Sequence, residues 1–457
     1  MKEETIAAIA TPPGTGGISI VRVSGPDAVL AAGKTLRLRS GAPLSSVRPW
    51  TVRLASVVDR EGVAIDEALV LVMRGPRSYT GEDLVEVQCH GGSLVSQKVL
   101  ASVLEAGARH AEPGEFTRRA FLNGRITLEE AEAVLEVVNA PTEYALSQAG
   151  RRLRGELGAR VRKWETRLYS ALAALQASAD FPEDVDEVSS HAMGEVLSVH
   201  KEIAALLDRA PLGLALSCGI EACLVGPPNA GKSSLFNALL AADRAIVTEV
   251  PGTTRDVLRE TTEWDGLPVI LLDTAGLRQT SDVVEIIGVE RAERAASESE
   301  VIIYVFDSAL GLGSEDRDWI GKWLKQGRRV LLVAGKSDAG ACKVSESEMN
   351  EVAGGAFVLA SAVTGAGLEE IKKRVTDWFR RGQDPRLLSP GSARQVDCLR
   401  RASSSLGEAL SRRSEGWTED VVVLCLEEAL KALAELTGKD VSEETLEQVF
   451  ARFCVGK

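Results

Sequence analysis

A glycine-rich loop that ends in lysine and serine is the clearest chemical signal in this chain. Residues 226–233 read G-P-P-N-A-G-K-S, which has the form G-x-x-x-x-G-K-S. In such a loop the backbone N–H groups and the dipole of the following helix bind phosphate oxygens. We expect Lys232 to reach the β- and γ-phosphates and to serve in catalysis, and Ser233 to ligate Mg²⁺. An apolar strand at 220–225 and a helical segment after Ser233 supply the flanks that a phosphate-binding loop requires.

Two segments after the loop predict how the state of the nucleotide is sensed. Asp273 ends an apolar strand and begins D-T-A-G, so its carboxylate can reach Mg²⁺ through water. In the segment P-G-T-T-R-D at 251–256, a threonine hydroxyl can complete the Mg²⁺ shell only while the γ-phosphate is present, which would make this loop a switch. We assign Thr254 to Mg²⁺ and place Arg255 and Asp256 among the catalytic candidates.

Two later segments predict that the base is guanine. Asp338 follows a strand at 329–334 and can accept hydrogen bonds from N1 and N2 of guanine, which adenine does not offer. Ser361 and Ala362 follow another strand and can support the base from its far side. These ordered segments predict a GTPase. The residues assigned to GTP are Asn229, Ala230, Gly231, Lys232, Ser233, Ser234, Thr248, Thr253, Thr254, Asp273, Thr274, Ala275, Gly276, Lys336, Asp338, Ser361 and Ala362.

Two positions depart from the usual GTPase pattern. Gly335 stands where Asn normally begins N-K-x-D, and loss of that amide is expected to weaken nucleotide binding by roughly 1–3 kcal/mol. Leu277 stands where Ras-like proteins carry the glutamine that positions the attacking water. An arginine finger from a partner could supply the missing charge stabilisation. A monovalent cation held by Asn229 and by oxygens of the switch loop could do the same.

The overall composition predicts a globular chain without a membrane segment. The 457 residues are 45% hydrophobic and 26% charged, which favours about three domains. No apolar run reaches ~18 residues, the N-terminus lacks an apolar signal core, and the seven cysteines show no C-x-x-C spacing, so we expect a cytoplasmic protein with reduced thiols. The net charge of −13 leaves RNA binding to a local basic surface. One candidate, for which a solvated helix face is the simpler interpretation, consists of Arg151, Arg152, Arg154, Arg160, Arg162 and Lys163.

The order of predicted elements indicates a multidomain α+β protein. Residues 1–118 alternate strands and turns around one helix, and we expect an α/β domain there. Residues 119–217 are predicted to be helical, including a stretch at 142–176. Residues 218–380 alternate strands and helices, as in a Ras-like P-loop G domain, and 381–457 are helical again, so we expect the G domain to be inserted into an all-helical domain built from both flanks. Strands are predicted at 18–23, 68–73, 220–225, 268–273, 301–306, 329–334 and 356–360.

These motifs resemble those of the MnmE (TrmE) family, the GTPases of tRNA wobble-uridine modification, over essentially the full length. The G-domain motifs also occur in ribosome-assembly GTPases, so the two chain ends distinguish the families. The C-terminus, F-C-V-G-K, is similar to the family's C-x-G-K ending. In the N-terminal part the similarity is carried by A-T-P-P-G-T-G-G at 10–17, Y-T-G-E-D at 79–83, H-G-G at 90–92, P-G-E-F-T at 113–117 and R-A-F-L-N at 119–123.

The resemblance implies a homodimer through the N-terminal domain, which would bind a tetrahydrofolate derivative such as 5-formyl-tetrahydrofolate. The positions that match the family's folate contacts are Arg22, Glu86, Arg125 and Lys457, of which Arg125 departs from the lysine that is common there. Cys454 stands close to Lys457, and a thiolate there could be a nucleophile. A lone cysteine near a terminus is more often structural, and both roles stay open.

The resemblance also implies potassium-activated hydrolysis, in which the G domains of two subunits meet across the nucleotide. The matching K⁺ ligands are Asn229, Thr248, Val250 through its carbonyl, and Thr253. Glu285 matches the acid that orients the attacking water through a bridging water.

The implied activity requires an FAD-dependent partner of the GidA/MnmG type, in a heterotetramer or larger assembly. Together the two proteins would add a carboxymethylaminomethyl or aminomethyl group to C5 of the wobble uridine, position 34, of certain tRNAs, with a folate as the one-carbon donor. Two alternatives stay open. A ribosome-assembly GTPase would be expected to end in a basic RNA-binding domain, whereas this chain is acidic. A folate-binding protein with an impaired GTPase is favoured only by Gly335.

Overall fold

The contacts within the chain divide it into two compact units. We describe them from a computed structural model, which covers residues 4–180, 185–241, 258–273, 294–353 and 357–457. Unit 1 comprises Met1–Leu135 with Lys431–Lys457, and unit 2 comprises Glu136–Leu430. Each unit has its own sheet and its own hydrophobic core. The predicted multidomain α+β class is confirmed.

The elements are numbered along the chain. The strands are β1 (Ile6–Ile9), β2 (Ile18–Ser24), β3 (Leu36–Leu38), β4 (Val52–Val58), β5 (Ala64–Met73), β6 (Leu84–His90), β7 (Arg109–His110), β8 (Ile220–Val225), β9 (Leu258–Trp264), β10 (Leu267–Asp273), β11 (Val301–Asp307), β12 (Arg329–Gly335) and β13 (Phe357–Leu359). The helices are α1 (Ala28–Thr35), α2 (Ser93–Glu105), α3 (Glu115–Leu122), α4 (Leu128–Asn139), α5 (Glu143–Leu153), α6 (Glu156–Asp180), α7 (Val185–Leu207), α8 (Ala210–Cys218), α9 (Lys232–Ala241), α10 (Ser314–Lys325), α11 (Glu346–Ala353), α12 (Leu368–Arg380), α13 (Ala393–Ser414), α14 (Glu419–Thr437) and α15 (Glu443–Phe450).

The sheet of unit 1 has seven strands in the order β3-β4-β5-β6-β2-β1-β7, antiparallel except for the pair β1 and β7. Val21 and Val23 on β2 are fully buried in the core that α1 and α2 complete on one face. Successive side chains of a strand point to opposite faces, so Arg22 lies on the other face. The register there pairs Arg22 with Glu86 on β6.

Ion pairs fix α3 beside the sheet of unit 1. Arg109 on β7 donates two hydrogen bonds to Glu115, at 2.8 and 2.6 Å, and Arg119 donates one at 2.8 Å. Arg119 also binds Glu82 at 3.0 Å. Burial opposes ionisation of Glu115, but the bonds from Arg109, from the backbone N–H of Glu112 and from Arg119 outweigh it and lower the pKa of its carboxyl to about 2. These ion pairs therefore fix the first turn of α3 beside the sheet.

Unit 2 contains a six-stranded sheet in the order β13-β12-β11-β8-β10-β9, parallel except for the edge strand β9. The chain runs from β8 to β9 and β10 on one side and then to β11, β12 and β13 on the other. The carboxyl end of β8 is therefore the point at which the strand order reverses, where open α/β sheets bind ligands. The glycine-rich loop follows β8 at this point.

The strands predicted in this sheet agree with the structure to within one or two residues. Strand β9 was not predicted, because L-R-E-T-T-E-W is mostly polar and belongs to an edge strand of which Thr262 and Trp264 are buried. The helical stretch predicted at 142–176 consists of two helices. Gly155, with a φ of +74°, separates α5 from α6 in a left-handed conformation that ends a helix.

Candidate functional site

The phosphate loop has a backbone that depends on small or permissive residues. Gly226 and Gly231 have φ values of +143° and +96°, and a Cβ at Gly226 would lie 2.0 Å from the carbonyl oxygen of Val305. Asn229 is also left-handed, with a φ of +59°, which asparagine tolerates better than most residues. Helix α9 begins at Lys232, directly after the loop. This arrangement suits an anion at a helix N-terminus.

Lys232 lies over the loop that precedes it. Its Nζ donates to the carbonyl oxygens of Gly226 and Pro227 at 2.9 and 2.8 Å. Burial lowers the pKa of Lys232, and the nearby Asp273 carboxylate opposes that shift. Asp273 ends β10 and is buried, and β10 runs parallel to β8 beside it. The Lys232 ammonium and the Asp273 carboxylate thus both lie at the carboxyl end of the sheet.

The first turn of α9 offers hydroxyl groups to this site. Ser233 and Ser234 are both exposed there. The Ser233 hydroxyl and the Asp273 carboxylate are hard oxygen donors, the type that Mg²⁺ binds alongside nucleotide phosphates. The donor set that the described residues provide therefore fits a magnesium–nucleotide complex.

Lys336 directly follows β12 and links the end of that strand to the phosphate loop. Its Nζ donates to the carbonyl oxygen of Asn229 at 2.7 Å and to Asp307 Oδ2 at 2.8 Å. The bond from Lys336 lowers the pKa of Asp307. Sequence reasoning missed Asp307, although it follows an apolar strand as Asp273 does. Lys336 itself has a φ of +56°, which turns the chain away at the end of β12.

Asp338 is held in place by the segment after β13. Its Oδ1 accepts a hydrogen bond from Ser361 Oγ at 2.5 Å. Ser361 Oγ also accepts the backbone N–H groups of Val363 and Thr364 at 3.2 and 3.1 Å. Ala362, the neighbour of Ser361, is half-buried in the same turn. The structure brings the predicted base-reading residues together and orients the carboxylate of Asp338.

Gly335 contacts the phosphate loop directly. A Cβ built there would lie 3.1 Å from the carbonyl oxygen of Ala230, and the φ of Gly335 is outside the left-handed region. A side chain at this position would therefore require the Ala230 carbonyl to shift by a few tenths of an ångström. The side chain of an asparagine at this position would therefore begin next to the phosphate loop, which its amide is expected to brace.

Ten predicted residues lie outside the residues that the structure describes. They belong to the switch segments, the remaining K⁺ ligands and the catalytic candidates. They are Thr248, Val250, Thr253, Thr254, Arg255, Asp256, Thr274, Ala275, Gly276 and Glu285.

In unit 1, Arg22 and Glu86 form a shielded ion pair. Arg22 Nε and Nη2 lie 3.0 and 2.9 Å from Glu86 Oε1. The guanidinium also lies over the rings of Tyr79 and Phe116, with centroids 5.3 and 5.6 Å away. The aromatic partners were not predicted, since only their place in the fold brings them to Arg22. An ion pair that lies over aromatic rings is suited to a planar, polar ligand.

The C-terminal residues lie against the same face of unit 1. Arg22 Nη1 donates to the carbonyl oxygen of Gly456 at 3.3 Å, and the backbone N–H of Phe116 donates to Lys457 O at 3.2 Å. Gly456 has a φ of +96°, and a Cβ there would lie 2.3 Å from Ile9 O. The backbone of the C-terminal residues is therefore held against Arg22 and Phe116.

Cys454 and Arg125 are placed differently. The Cys454 side chain is exposed, and its carbonyl oxygen accepts the N–H groups of Gly114 and Lys457 at 3.4 and 3.3 Å. Arg125 Nε donates to Ser78 O at 3.1 Å, so it supports the loop that carries Tyr79. A cavity of about 590 Å³ is lined by the segment 11–16, by Gly91 and by Val455, and none of the four predicted folate residues lines it.

The described residues show neither a membrane span nor a cluster of metal-ligating side chains. None of their helices is long and apolar enough to span a membrane. They contain no group of three or more His, Cys, Asp or Glu side chains arranged to hold a metal ion.

Comparison with known proteins identifies related chains over the whole length. Residues 5–125 match the family model of the GTP-binding protein TrmE N-terminus, and residues 128–454 match that of the MnmE helical domain. The tRNA modification GTPase MnmE of Symbiobacterium thermophilum is 47% identical over 464 residues, covering 100% of both chains. That of Moorella thermoacetica is 41% identical over 468 residues, again covering 100% of both.

Among solved structures, the G domain of the T. maritima FeoB iron transporter is 27% identical, covers 35% of this chain and 98% of its own, and has a TM-score of 0.27. The two family models together cover nearly all of the chain. The resemblance predicted from the motifs is therefore confirmed, and the chain belongs to the MnmE (TrmE) family of tRNA modification GTPases.

Proposed function

We propose that this protein is a K⁺-activated GTPase that modifies the wobble uridine of certain tRNAs. The observation that carries the proposal is the Asp338 carboxylate, held by Ser361 beside a phosphate loop that Lys336 braces, in a chain of this family. A carboxylate held in this way can accept N1–H and N2–H of guanine, as the GTPase part of the proposal requires.

The roles within the nucleotide site follow from residue chemistry. Lys232 would stabilise charge on the β- and γ-phosphates, and Ser233 with Thr254 would hold Mg²⁺, which supplies further charge neutralisation when bound. Glu285 would orient the attacking water, and Arg255 and Asp256 would act in the switch segment. We also propose the remaining GTP contacts that the sequence predicts. We propose the predicted division of the chain as well, with an N-terminal domain at 1–118, a helical domain built from 119–217 and 381–457, and a G domain at 218–380.

Potassium would supply positive charge to the transition state, the role that an arginine finger plays in other GTPases. Asn229 supports this role, because its left-handed backbone sits at the crest of the phosphate loop and its own carbonyl is already bound by Lys336. Its side-chain oxygen is then the group that remains for a cation. Thr248, Val250 and Thr253 would complete the set.

Unit 1 would bind the tetrahydrofolate that donates the one-carbon unit. The Arg22–Glu86 pair on Tyr79 and Phe116 offers a polar floor for a pterin ring, and Lys457 offers a cation for the glutamyl tail. Arg125 would act through the loop of Ser78. Cys454 is exposed near this site, and we propose direct covalent participation as the role to be tested.

The protein would act as a homodimer through its N-terminal domain, together with an FAD-dependent GidA/MnmG-type protein in a heterotetramer or larger assembly. Its substrate would be tRNA, its product a carboxymethylaminomethyl or aminomethyl group on C5 of uridine 34, and its place the cytoplasm. Hydrolysis of GTP would drive domain movement rather than the carbon chemistry.

One pair of measurements tests this function. Phosphate release by the full chain at saturating GTP should be faster in KCl than in NaCl of equal ionic strength, and Lys232→Ala should abolish it. Equal, near-zero rates in both salts would favour the alternative of a folate-binding protein with an impaired GTPase.

The second measurement is mass spectrometry of the wobble nucleoside in cells that lack this chain. The modified uridine should disappear and should return with the wild-type gene. An unchanged nucleoside together with defective ribosomal subunits would instead support the ribosome-assembly alternative.

A further inference from the structure

The six basic residues that the sequence singled out separate into two groups in unit 2. Arg152 is buried, pairs with Glu136 at 2.5 Å and donates to Ser389 O at 3.0 Å. Arg151 and Arg154 both bind Glu156, at 2.7 and 3.4 Å. These three arginines are each paired with an acid of the same unit, with Arg151 and Arg154 sharing the single charge of Glu156, so they offer less free charge than unpaired arginines would.

The other three residues stay unpaired. Arg160, Arg162 and Lys163 lie on α6 and are exposed. Within the part of the chain that the structure describes, none of their side chains has an ion pair or a hydrogen bond. If the six residues formed only a solvated helix face, every cation would be expected to lie beside an acid. The division into paired and unpaired cations argues against that interpretation.

These three cations line a groove of about 800 Å³ between α6 and α7. Arg167 and Arg209 line it too, and Glu202 is the one carboxylate in its lining. Glu202 is already engaged, because it accepts bonds from Arg167 at 2.6 Å and from Trp164 Nε1 at 2.8 Å. Burial opposes its ionisation, but the bonds from Arg167 and Trp164 outweigh this and lower the pKa of Glu202. Arg167 also pairs with Glu195 at 2.6 Å, so its positive charge is shared between these two carboxylates.

Arg209 adds a cation that no described carboxylate neutralises. Its Nη1 donates to the carbonyl oxygen of Leu388 at 3.4 Å, and its Nε is buried without a hydrogen-bond partner. The groove thus gathers several uncompensated positive charges on a chain whose net charge is −13. Such charges repel each other, and a polyanion that spans them relieves the repulsion.

The geometry favours an extended RNA backbone over a small anion. Arg160 and Arg167 are separated by about 10 Å along α6, so one small anion could not contact all the cations. Tyr169 is 56% exposed and lies two helical turns after Arg162 on the same stripe of the helix. An exposed aromatic ring beside arginines is a platform on which an unpaired base can stack.

We propose that the groove between α6 and α7, with Arg160, Arg162 and Lys163 as its free cations, binds the phosphate backbone of the tRNA substrate. This inference rests on the proposed function, which names tRNA as the substrate. It adds a location for that contact in an acidic protein.

The test is binding of a fluorescein-labelled transcript of a tRNA with uridine at position 34, measured by anisotropy over a series of salt concentrations. The variant R160A/R162A/K163A of the full chain should bind at least about tenfold more weakly, and its slope of log K against log salt should be shallower by about 2–3. Alanine is the best helix former, so α6 should be preserved. Potassium-stimulated GTP hydrolysis without tRNA should equal that of the wild type.

Two controls separate this site from general charge effects. R374A/R401A/R412A removes the same charge from arginines that are each paired with an acid four residues earlier, and it should bind like the wild type. R160K/R162K keeps the charge and should keep the salt slope. Stacking is tested separately, since Tyr169→Ala should weaken binding without changing that slope.

The outcomes distinguish the two proposals. Wild-type affinity and slope in the triple variant would overturn the groove while leaving the proposed function intact. Retained tRNA binding with loss of binding to the FAD-dependent partner would identify a protein-docking surface and would also overturn it. No binding of tRNA by the wild-type protein, alone and with that partner, would overturn both.

Discussion

Restoring an asparagine at position 335 should tighten nucleotide binding. Gly335 ends β12, and a Cβ there would lie 3.1 Å from Ala230 O and 3.4 Å from Phe306 O. An amide on that Cβ can donate to the phosphate loop and contact the base, and each new hydrogen bond contributes about 0.5–1.5 kcal/mol. The close Cβ contact subtracts from this gain, because the loop carbonyl must shift by a few tenths of an ångström.

The net expectation for Gly335→Asn is about 1–2 kcal/mol, or GDP and GTP binding tighter by about 5- to 30-fold. Isothermal titration of the full chain with GDP measures this directly. Gly335→Ala is the matched control, since it introduces the same Cβ contact without the amide. It should bind GDP equally well or slightly more weakly than the wild type.

The potassium requirement should be unchanged in Gly335→Asn, because the proposed cation ligands belong to the phosphate loop and the switch segment. Equal affinity of the Asn and Ala variants would refute the reasoning, since it would mean that the missing amide does not limit binding. A gain in both variants would show instead that a glycine at this position loosens the loop.

Three further outcomes follow from contacts in the structure. Asn229→Gly keeps the left-handed backbone but removes the amide, so hydrolysis in KCl should fall to the rate in NaCl while GDP affinity changes less than about threefold. Lys336→Met removes the ammonium that braces the phosphate loop, and it should weaken GDP binding by about 5- to 150-fold in the same titration. Glu115, whose pKa falls from 4.5 to about 2 on folding, should stabilise unit 1 by about 3 kcal/mol above pH 4.5 and lose this contribution between pH 4.5 and 2. Glu115→Gln should therefore unfold at lower urea concentration at pH 7, read by alkylation of the buried Cys89 thiol, and the difference should shrink as the pH falls.

Much of the nucleotide site could be predicted because its parts are local. The phosphate loop, the acid after β10 and the segment K-S-D each combine a strand with the few residues after it, and spacing alone places them at the carboxyl end of a parallel sheet. Asp307 escaped prediction although it has the same position after β11. Its importance comes from Lys336, 29 residues later in the chain, which the fold brings to 2.8 Å.

The basic helix shows the limit of local reasoning most clearly. The sequence presents Arg151 and Arg160 as equivalent positive charges on helices. The acid that pairs with Arg151 is five residues away, whereas Arg160 faces a groove whose carboxylate is occupied by Arg167. Which charges are free depends on the side chains that α6 and α7 bring together, and no periodicity encodes that.

The sequence by itself determined the phosphate loop, the acid that we propose reads guanine, and the family, because each depends on residues close together in the chain or on motifs at its ends. The tertiary structure decided which of those residues touch. It placed Gly456 against Arg22, 434 residues apart, and set Arg22 on Tyr79 and Phe116. Such contacts form because folding buries apolar segments that are distant in the chain in a common core, where backbone groups also find hydrogen-bond partners. Which residues touch is therefore not limited by their separation in the sequence.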